Sequence, residues 1–426
     1  MWQYREDPEA NRLVDAYILK HYYYLLEISG LYHRMDGRTR IFSISQLIIY
    51  FFTLSFHLIL IIKSTIPIYG LNKVLFSQNV HFALLMLMSI IALLSSMWNN
   101  LKKFLIHRLL SNDFYDYQEP AVIGEDILRS NAKTQLRRLT LVPITAALAA
   151  GTVLSVSPIV DFKAGTFDFN RTASMLDYHL LYPYGKFPYS VKDGFGYYSA
   201  MLGQLACGFL MAVVIGGGGF LFINVSESVI LQMKILNNSL DNIESRIDHL
   251  YSKLFGKMNS NCMKSLRRDS LYTYCYSECL RKNFEHHQVI LKAFNLIKEI
   301  SSIPIGSAYL TGTIVIALSF ISAGSAKELP GTTVGSMLLC AGEISYMFLF
   351  SLSGQRIIDL STELRYKMYN TRWYICSEEI KKSFMIFQEI TLKPMTMMVA
   401  KVVPANMETF TAVGLLLSLS PIYVGE

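Results

Sequence analysis

Apolar residues in this chain gather into long, almost uninterrupted stretches. Six of these stretches are each about 20 residues long, the length that a helix needs to cross the hydrocarbon core of a membrane. They are Ile41–Ile62, Val80–Trp98, Leu139–Val160, Tyr197–Val225, Ile303–Gly324 and Thr333–Leu352. This pattern predicts an all-α, polytopic membrane protein.

A seventh apolar stretch runs from Ser383 to Val424 but is interrupted at several positions. The interruptions are Lys393, Pro394, Lys401 and Pro404. Proline removes a backbone donor and kinks a helix. We therefore interpret this stretch as a short cytoplasmic helix, a break and a last membrane helix from about residue 402 to 424, which brings the predicted transmembrane helices to seven. Pro421 is expected to interrupt this last helix near its end.

Composition supports this interpretation, and charge orients it. The chain is 52% apolar and 17% charged, with a mean hydropathy of +0.32, whereas soluble domains carry about 25% charged residues. The positive-inside rule keeps basic loops in the cytoplasm. Of the 39 Lys and Arg residues, 30 fall in 1–40, 99–138, 227–300 and 354–382, and seven fall in 63–79, 161–196 and 325–332. The amino terminus is therefore expected in the cytoplasm.

The predicted organisation has four parts. They are a cytoplasmic amino-terminal segment (1–40), transmembrane helices 1–4 with an outer loop at 161–196 (41–225), a cytoplasmic helical region (226–302), and transmembrane helices 5–7 (303–426). A sequon for N-glycosylation at Asn170 falls in the outer loop, on the side where glycans are added.

The cytoplasmic region carries a helical seam of apolar residues spaced alternately four and three apart. Its members are Leu236, Leu240, Ile243, Ile247, Leu250 and Leu254. Such a heptad seam predicts that helices extend from the membrane and pack in the cytoplasm. Two partners remain open for it: another helix of the same chain, or a second subunit.

Sequence signatures of catalysis are not evident, so no enzymatic activity and no cofactor are expected. The chain has no HExxH or GxSxG motif, and the run Gly216–Gly219 lacks the GK[ST] ending of a phosphate-binding loop. Close contact between membrane helices, or a flexible point, explains that run better. Cys275 and Cys279 lack the CxxC spacing of a zinc site, and no metal is expected.

Polar and aromatic residues near the outer ends of the membrane helices are candidates for a ligand pocket. Methionine and aromatic side chains form adaptable apolar cavities, and a few hydroxyl or amide groups can orient a small molecule. The candidates are Met86, Met88, Thr152, Ser155, Tyr198, Met201 and Gln204. Ordinary helix packing is the competing explanation for each. Glu343, a carboxylate within the sixth membrane stretch, either pairs with a neighbouring helix or borders an aqueous path.

The last hundred residues of the chain resemble the carboxy-terminal signature of insect odorant receptors. The matching residues are Gly354, Gln355, Arg356, Ile357, Ser361, Leu364, Tyr369, Trp373, Tyr374, Lys381, Lys382, Ser383, Phe387, Gln388, Lys393, Pro394, Lys401, Pro404, Glu408, Thr409 and Phe410. The run Pro183–Tyr189, with Tyr197, Tyr198 and Gln204, is a looser match to the outer loop and fourth helix of that family.

This resemblance implies a tuning subunit of an odorant-gated, non-selective cation channel. Family members form tetramers with a shared co-receptor in the plasma membrane of olfactory sensory neurons. The ligand, a small volatile odorant, is implied to bind among the second, third, fourth and sixth helices in their outer half. Lipid is the other expected partner and nucleic acid is not. The last helix is implied to line the pore, through Val413, Leu417, Ser418 and Ser420, and cytoplasmic helices to join the subunits.

From Gly414 onward the chain departs from the family pattern. A tuning receptor usually continues with a Lys-Thr-Ser-Tyr-Ser-like run, whereas this chain is rich in leucine up to Pro421. An alternative last exon, or an intron read as coding, would produce such a switch. A gustatory-type receptor of the same superfamily remains an alternative. A G-protein-coupled receptor would place the amino terminus outside, and a transporter would show repeats and more intramembrane charge.

Overall fold

A computed structural model describes residues 25–32, 37–70, 73–98, 115, 117, 122–163, 187–189, 194–256, 270–325 and 330–424. These residues are almost entirely helical. In chain order the helices are α1 (Gly37–Ile68), α2 (Lys73–Trp98), α3 (Glu125–Lys163), α4 (Gly194–Asp241), α5 (Ile243–Phe255), α6 (Ser270–Ser325), α7 (Pro330–Tyr369), α8 (Glu378–Ile390) and α9 (Met407–Val424). A 3₁₀ turn (Trp373–Ile375) precedes α8, and a hairpin of strands β1 (Met398–Val399) and β2 (Val403–Pro404) precedes α9.

The all-α membrane fold predicted from the apolar stretches is confirmed. In the described part of the chain, five helices are long and apolar enough to cross a membrane, namely α1, α2, α4, α6 and α7. The remaining two predicted spans lie in α3, whose first half is rich in charge, and in the short α9. Both are helical, but the total of seven transmembrane spans stays a prediction.

The long helices pack into one bundle with two main apolar clusters. The first cluster joins α1, α2 and α4 through residues such as Leu54, Phe82 and Met211. The second follows α4, α6 and α7 out of the bundle and continues into α5 and α8. On its other sides α6 packs against α2, and α3 packs against α4 and α7.

The apolar seam of the predicted cytoplasmic region packs against other helices of the same chain. Five of its six members are buried on α4 and α5, in the cluster that also contains Tyr272, Cys279 and Leu280 of α6. The sixth, Leu254, is 51% exposed near the end of α5. Of the two partners left open by the sequence, the structure thus shows the intramolecular one.

A buried polar network lies beside this seam, on the part of α6 that precedes its predicted membrane stretch. The hydroxyl of Tyr117 lies 2.7 Å from Nδ1 of His286, and Nε2 of His286 lies 3.0 Å from Oε1 of Gln232. The guanidinium of Arg246 lies 4.6 Å from the centre of the Tyr117 ring. Burial, assisted by nearby cations, lowers the pKa of His286 to about 3, and burial lowers that of His287 to about 4.

The last helix differs from the sequence prediction at its start. It begins at Met407, not at about Val402. Ala400 and Lys401 adopt positive φ values (47° and 64°), which turn the chain back so that Val399 pairs with Val403. The helix can begin only after this hairpin, where Oδ1 of Asn406 accepts a bond from the Thr409 backbone N–H at 2.9 Å.

The predicted interruption at Pro421 is also wrong. Helix α9 continues through this proline to Val424. Because Pro421 lies only three residues before the last helical residue, the helix loses one backbone hydrogen bond and little further helix depends on it.

The buried histidines predict that acid destabilises the folded chain. A histidine whose pKa is lowered in the folded state binds a proton more readily when the chain is unfolded, so acid favours the unfolded state. Stability should therefore decline as pH falls from about 6.5, the ordinary histidine value, toward 4. His286→Gln should flatten this decline by up to about 1.4 kcal/mol per pH unit. The measurement is the thermal unfolding midpoint of the detergent-purified protein between pH 7 and 4.5.

His249→Gln is the matched control, since His249 is exposed on α5. It should leave the pH profile of the unfolding midpoint unchanged. An identical profile for the wild type and His286→Gln would contradict the assignment of the acid sensitivity to this network.

Candidate ligand and gating site

The candidate ligand residues do not form a single cluster. Met86 and Gln204 are buried, and Met201 packs against the small group of Leu60, Phe187 and Ala200. By contrast, Tyr198 is 65% exposed.

The two candidates on α3 are different again. The exposed Thr152 hydroxyl donates to the Leu148 carbonyl of its own helix (2.8 Å), and the Ser155 side chain lies outside the described residues. The ligand-binding role of the whole set stays a prediction, with Met86, Met201 and Gln204 best placed inside the bundle.

Three buried polar residues on α1 and α2 were missed by sequence inspection. His57, Asn79 and His81 are each at most 7% exposed, and each has one side-chain nitrogen or oxygen without a protein hydrogen-bond partner among the described residues. His57 faces α4, because a Cβ added to Gly203 would lie 3.4 Å from its Nε2. Buried polar atoms are normally satisfied, so these atoms are suitable hydrogen-bond partners for a polar group of a ligand. Lone histidines in apolar stretches gave no periodic signal that could have revealed them.

A cavity of about 100 Å³ lies deeper, between α2, α4, α6 and α7. Met88 and Ala92 contribute from α2, Gly218 from α4, Ala308 from α6, and Tyr346 and Phe350 from α7. Met88 is the only predicted ligand residue on its wall. The cavity has no lining residue on the described part of α3.

The run Gly216–Gly219 lets neighbouring elements approach α4 closely. A Cβ at Gly217 would lie 2.6 Å from the Ser29 side chain, and a Cβ at Gly219 would lie 2.6 Å from the Tyr346 ring. A Cβ at Gly218 would meet only Leu31, at an ordinary 3.9 Å. The expectation of close helix contact at this run is confirmed, and it applies to Gly217 and Gly219.

Two other glycines seat the hairpin that leads into α9. A Cβ at Gly306 of α6 would lie 2.7 Å from the Ala400 side chain, and the Ala400 backbone N–H donates to the Ser302 carbonyl at 3.2 Å. A Cβ at Gly354 of α7 would lie 1.8 Å from the Ala405 carbonyl oxygen. The hairpin is thus pressed against α6 and α7 at points where no side chain fits.

Helix α9 packs on the bundle along one face only. Its Phe410 ring contacts Phe348 of α7 edge to face at 5.7 Å, and Val413 is half-buried against the same cluster. Thr411 and Leu415 are exposed in this single chain. Of the predicted pore-lining residues, Val413 therefore faces the bundle, and the side chains of Leu417, Ser418 and Ser420 lie outside the described part.

The intramembrane carboxylate Glu343 lies between α7 and α6. A Cβ added to Gly312 would lie 3.3 Å from its Oε2 and equally close to the sulfur of Met347. The side chain is half-buried, and no ion pair to it occurs within the described residues. Pairing with a neighbouring helix, one of the two roles expected for it, is not seen in the described chain.

Comparison with known protein families identifies the family of this chain. Residues 72–416 match the family described as 7tm Odorant receptor. The chain belongs to this odorant receptor family. The match ends two residues beyond Gly414, close to where the sequence leaves the family pattern. No individual curated protein matches the chain significantly.

Solved structures share the receptor's fold. The insect olfactory receptor OR5 from Machilis hrabei in complex with eugenol has a TM-score of 0.70 and 12% identity, over 96% of this chain and 97% of that one. A second structure of OR5 from the same organism has a TM-score of 0.68 and 12% identity, over 98% of this chain and 99% of that one. Identity this low shows the fold alone. The receptor is thus a multi-pass membrane protein with an olfactory-receptor fold.

The close contacts of Gly306 and Gly354 with the hairpin generate a prediction for the odorant receptor. Gly354→Ala should destabilise it by about 1–3 kcal/mol or more, because the added methyl must displace the Ala405 carbonyl. The measurement is the thermal unfolding midpoint of the purified receptor. Gly342→Ala, on the same helix with nothing within 4 Å of its Cβ, is the matched control and should be neutral or slightly stabilising. Equal midpoints for the two variants would show that the hairpin is not seated as described.

Proposed function

We propose that this odorant receptor is a subunit of a ligand-gated, non-selective cation channel that assembles with a co-receptor in the plasma membrane of olfactory sensory neurons. The observation that carries the proposal is the uncovered face of α9. Helix α9 consists mostly of apolar residues. It packs on the bundle through Phe410 and Val413, and it exposes Thr411 and Leu415. Further subunits arranged symmetrically around a central axis would cover such a face.

The proposed orientation places the amino terminus and the α4–α5–α6 extension in the cytoplasm. The supporting observation is the concentration of Lys and Arg in the segments on that side. In this orientation the β1–β2 hairpin lies at the cytoplasmic end of the bundle, and α9 crosses the membrane from there.

The ligand is proposed to be a small volatile molecule that binds in the outer half of the bundle. OR5 was solved with eugenol, and an apolar ligand of that kind suits the buried Met86 and Gln204 and the partly buried Met201. The polar atoms of His57 and His81 are available to orient a ligand hydroxyl or carbonyl. Asn170 in the outer loop is proposed to carry a glycan.

The pore lining is proposed to differ in part from the sequence prediction. Val413 faces the bundle, so the opposite register of α9 is the candidate lumen face. Thr411 and Leu415 occupy that register, and Ser418 follows Thr411 by seven residues, or two helical turns. A ring that includes Leu415 from every subunit would tend to dewet and stay closed. Current is therefore proposed to pass mainly through channels that include co-receptor subunits.

Electrophysiology tests the channel proposal directly. In cells expressing the receptor with an insect co-receptor, an effective odorant should evoke a non-selective cation current that persists when G-protein cycling is blocked. The receptor expressed alone should give little current, because its leucine-rich last helix would line the whole pore.

Surface expression is the control for the recordings. An antibody to a tag at residue 1 should reach its epitope only after permeabilisation, as the proposed orientation requires. A current abolished by the G-protein block would refute direct gating, and a large current from the receptor alone would refute the closed homomeric pore.

Substitution of the partly buried Met201 tests the location of the odorant. Met201→Ala should raise the half-maximal odorant concentration by about 10-fold or more, because removing methylenes from an apolar pocket costs about 1–3 kcal/mol. Met337→Ala is the matched control, since Met337 is 58% exposed on α7. An unchanged dose–response curve for Met201→Ala, with normal surface expression, would place the odorant elsewhere.

A further inference from the structure

The deep cavity between α2, α4, α6 and α7 is separate from the outer residues proposed to bind the odorant. On α4 its first lining residue, Val214, follows Gln204 by ten residues, or about 15 Å along the helix axis. The described residues of α3 contribute nothing to its wall, whereas α6 contributes a whole face. The cavity therefore needs its own explanation.

The walls of this cavity are apolar even where they carry hydroxyl groups. Ser301 donates its hydroxyl to the Ile297 carbonyl (2.6 Å) and Ser307 donates to the Pro304 carbonyl (2.8 Å). Tyr346 donates to the Ile215 carbonyl across the cavity wall at 3.3 Å. These donors are already used by backbone carbonyls, so they offer little to water, and apolar cavities of comparable size stay dry and bind apolar molecules.

We propose that this cavity is a second ligand site, which binds a compact apolar molecule of about one aromatic ring. A cavity of about 150 Å³ is known to bind benzene, and the present volume of about 100 Å³ is of that order. The flexible side chain of Met88 lies on the wall and allows the small adjustment that a ring requires. A ligand of two fused rings would exceed this volume of about 100 Å³.

The position of the site connects it with the hairpin before α9. On α6, the cavity face includes Ser301, Pro304 and Ala308, which recur at helical spacing. Ser302 and Gly306, which seat Ala400, lie on the opposite face of the same two turns. A ligand that shifts this part of α6 therefore also moves Ser302 and Gly306, the residues that contact the hairpin at Ala400. This modulatory role rests on the proposed channel function, whereas the binding site does not.

Benzene is the probe for binding to the detergent-purified receptor. It should raise the thermal unfolding midpoint in a concentration-dependent manner, because a ligand that binds only the folded state stabilises it by mass action. Gly218→Ala and Ala308→Leu place additional atoms in the cavity, and both should reduce or abolish this rise. Gly218→Ala is tolerated sterically, since its Cβ would meet only Leu31 at 3.9 Å.

Gly208→Ala is the matched control for Gly218→Ala. It makes the same chemical change on the same helix, with no atom within 4 Å of the added methyl and no part in the cavity wall. It should retain the full benzene effect. An equal rise for all four proteins, no rise for the wild type, or an equal rise with the two-ring naphthalene would overturn the site.

The modulatory role has a separate readout in cells that express the receptor with a co-receptor. Benzene should change the half-maximal odorant concentration of the wild type, and Ala308→Leu should remove that change. If benzene shifts the unfolding midpoint but leaves the odorant response unaltered, the coupling through α6 is refuted while the site stands. If no odorant evokes a current, the proposed channel function fails, and the binding result is unaffected.

Discussion

The contact between the β1–β2 hairpin and two glycines is the constraint on which the rest of the receptor depends. Gly306 and Gly354 allow the backbone at Ala400 and Ala405 to lie directly against α6 and α7. Around these points Met397 and Val399 are buried in the apolar cluster that also contains residues of α4, α6 and α7. Any relative movement of α6 and α7 must therefore be transmitted to the start of α9 or break these contacts. Closely packed interfaces respond by switching arrangement rather than by gradual deformation.

Much of this fold is predictable from the sequence because membranes impose simple rules. Backbone groups in lipid must bond within a helix, so each long apolar stretch predicts a helix, and the helices α1, α2, α4, α6 and α7 appear where expected. The seam from Leu236 to Leu250 likewise predicts helix packing, because its period fits a helix, and its residues are buried in one cluster. The start of α9 was misplaced at Val402, because apolar residues fit a strand and a helix equally well. Ala400 and Lys401 carry no turn signature, yet both have positive φ.

The ligand site was less predictable, for a physical reason. Helix periodicity identifies which residues face inward, but not which inward-facing residues leave space between them. Tyr198 has the chemistry of a pocket residue but points outward, and His57 is buried although nothing in its neighbourhood marked it. The deep cavity is bordered by the small residues Ala92, Gly218 and Ala308, and of these only Gly218 stands out in the sequence, as part of the glycine run. Space in a protein depends on what several helices jointly fail to fill, and no single stretch of sequence records that.

The glycine run of α4 explains why this space is not closed by collapse. Gly217 and Gly219 hold α4 in backbone contact with Ser29 and Tyr346 on its two sides, so α4 cannot move toward the gap at Gly218 without losing both contacts. Unfilled apolar space in a core carries an energetic penalty, because the lining atoms lose packing contacts. A molecule that fills the space recovers part of that penalty without any rearrangement of α4. Gly217 and Gly219 therefore keep this apolar cavity open, and a ligand that fills it is favoured. The cavity is lined by α6, the helix whose opposite face contacts the hairpin before α9.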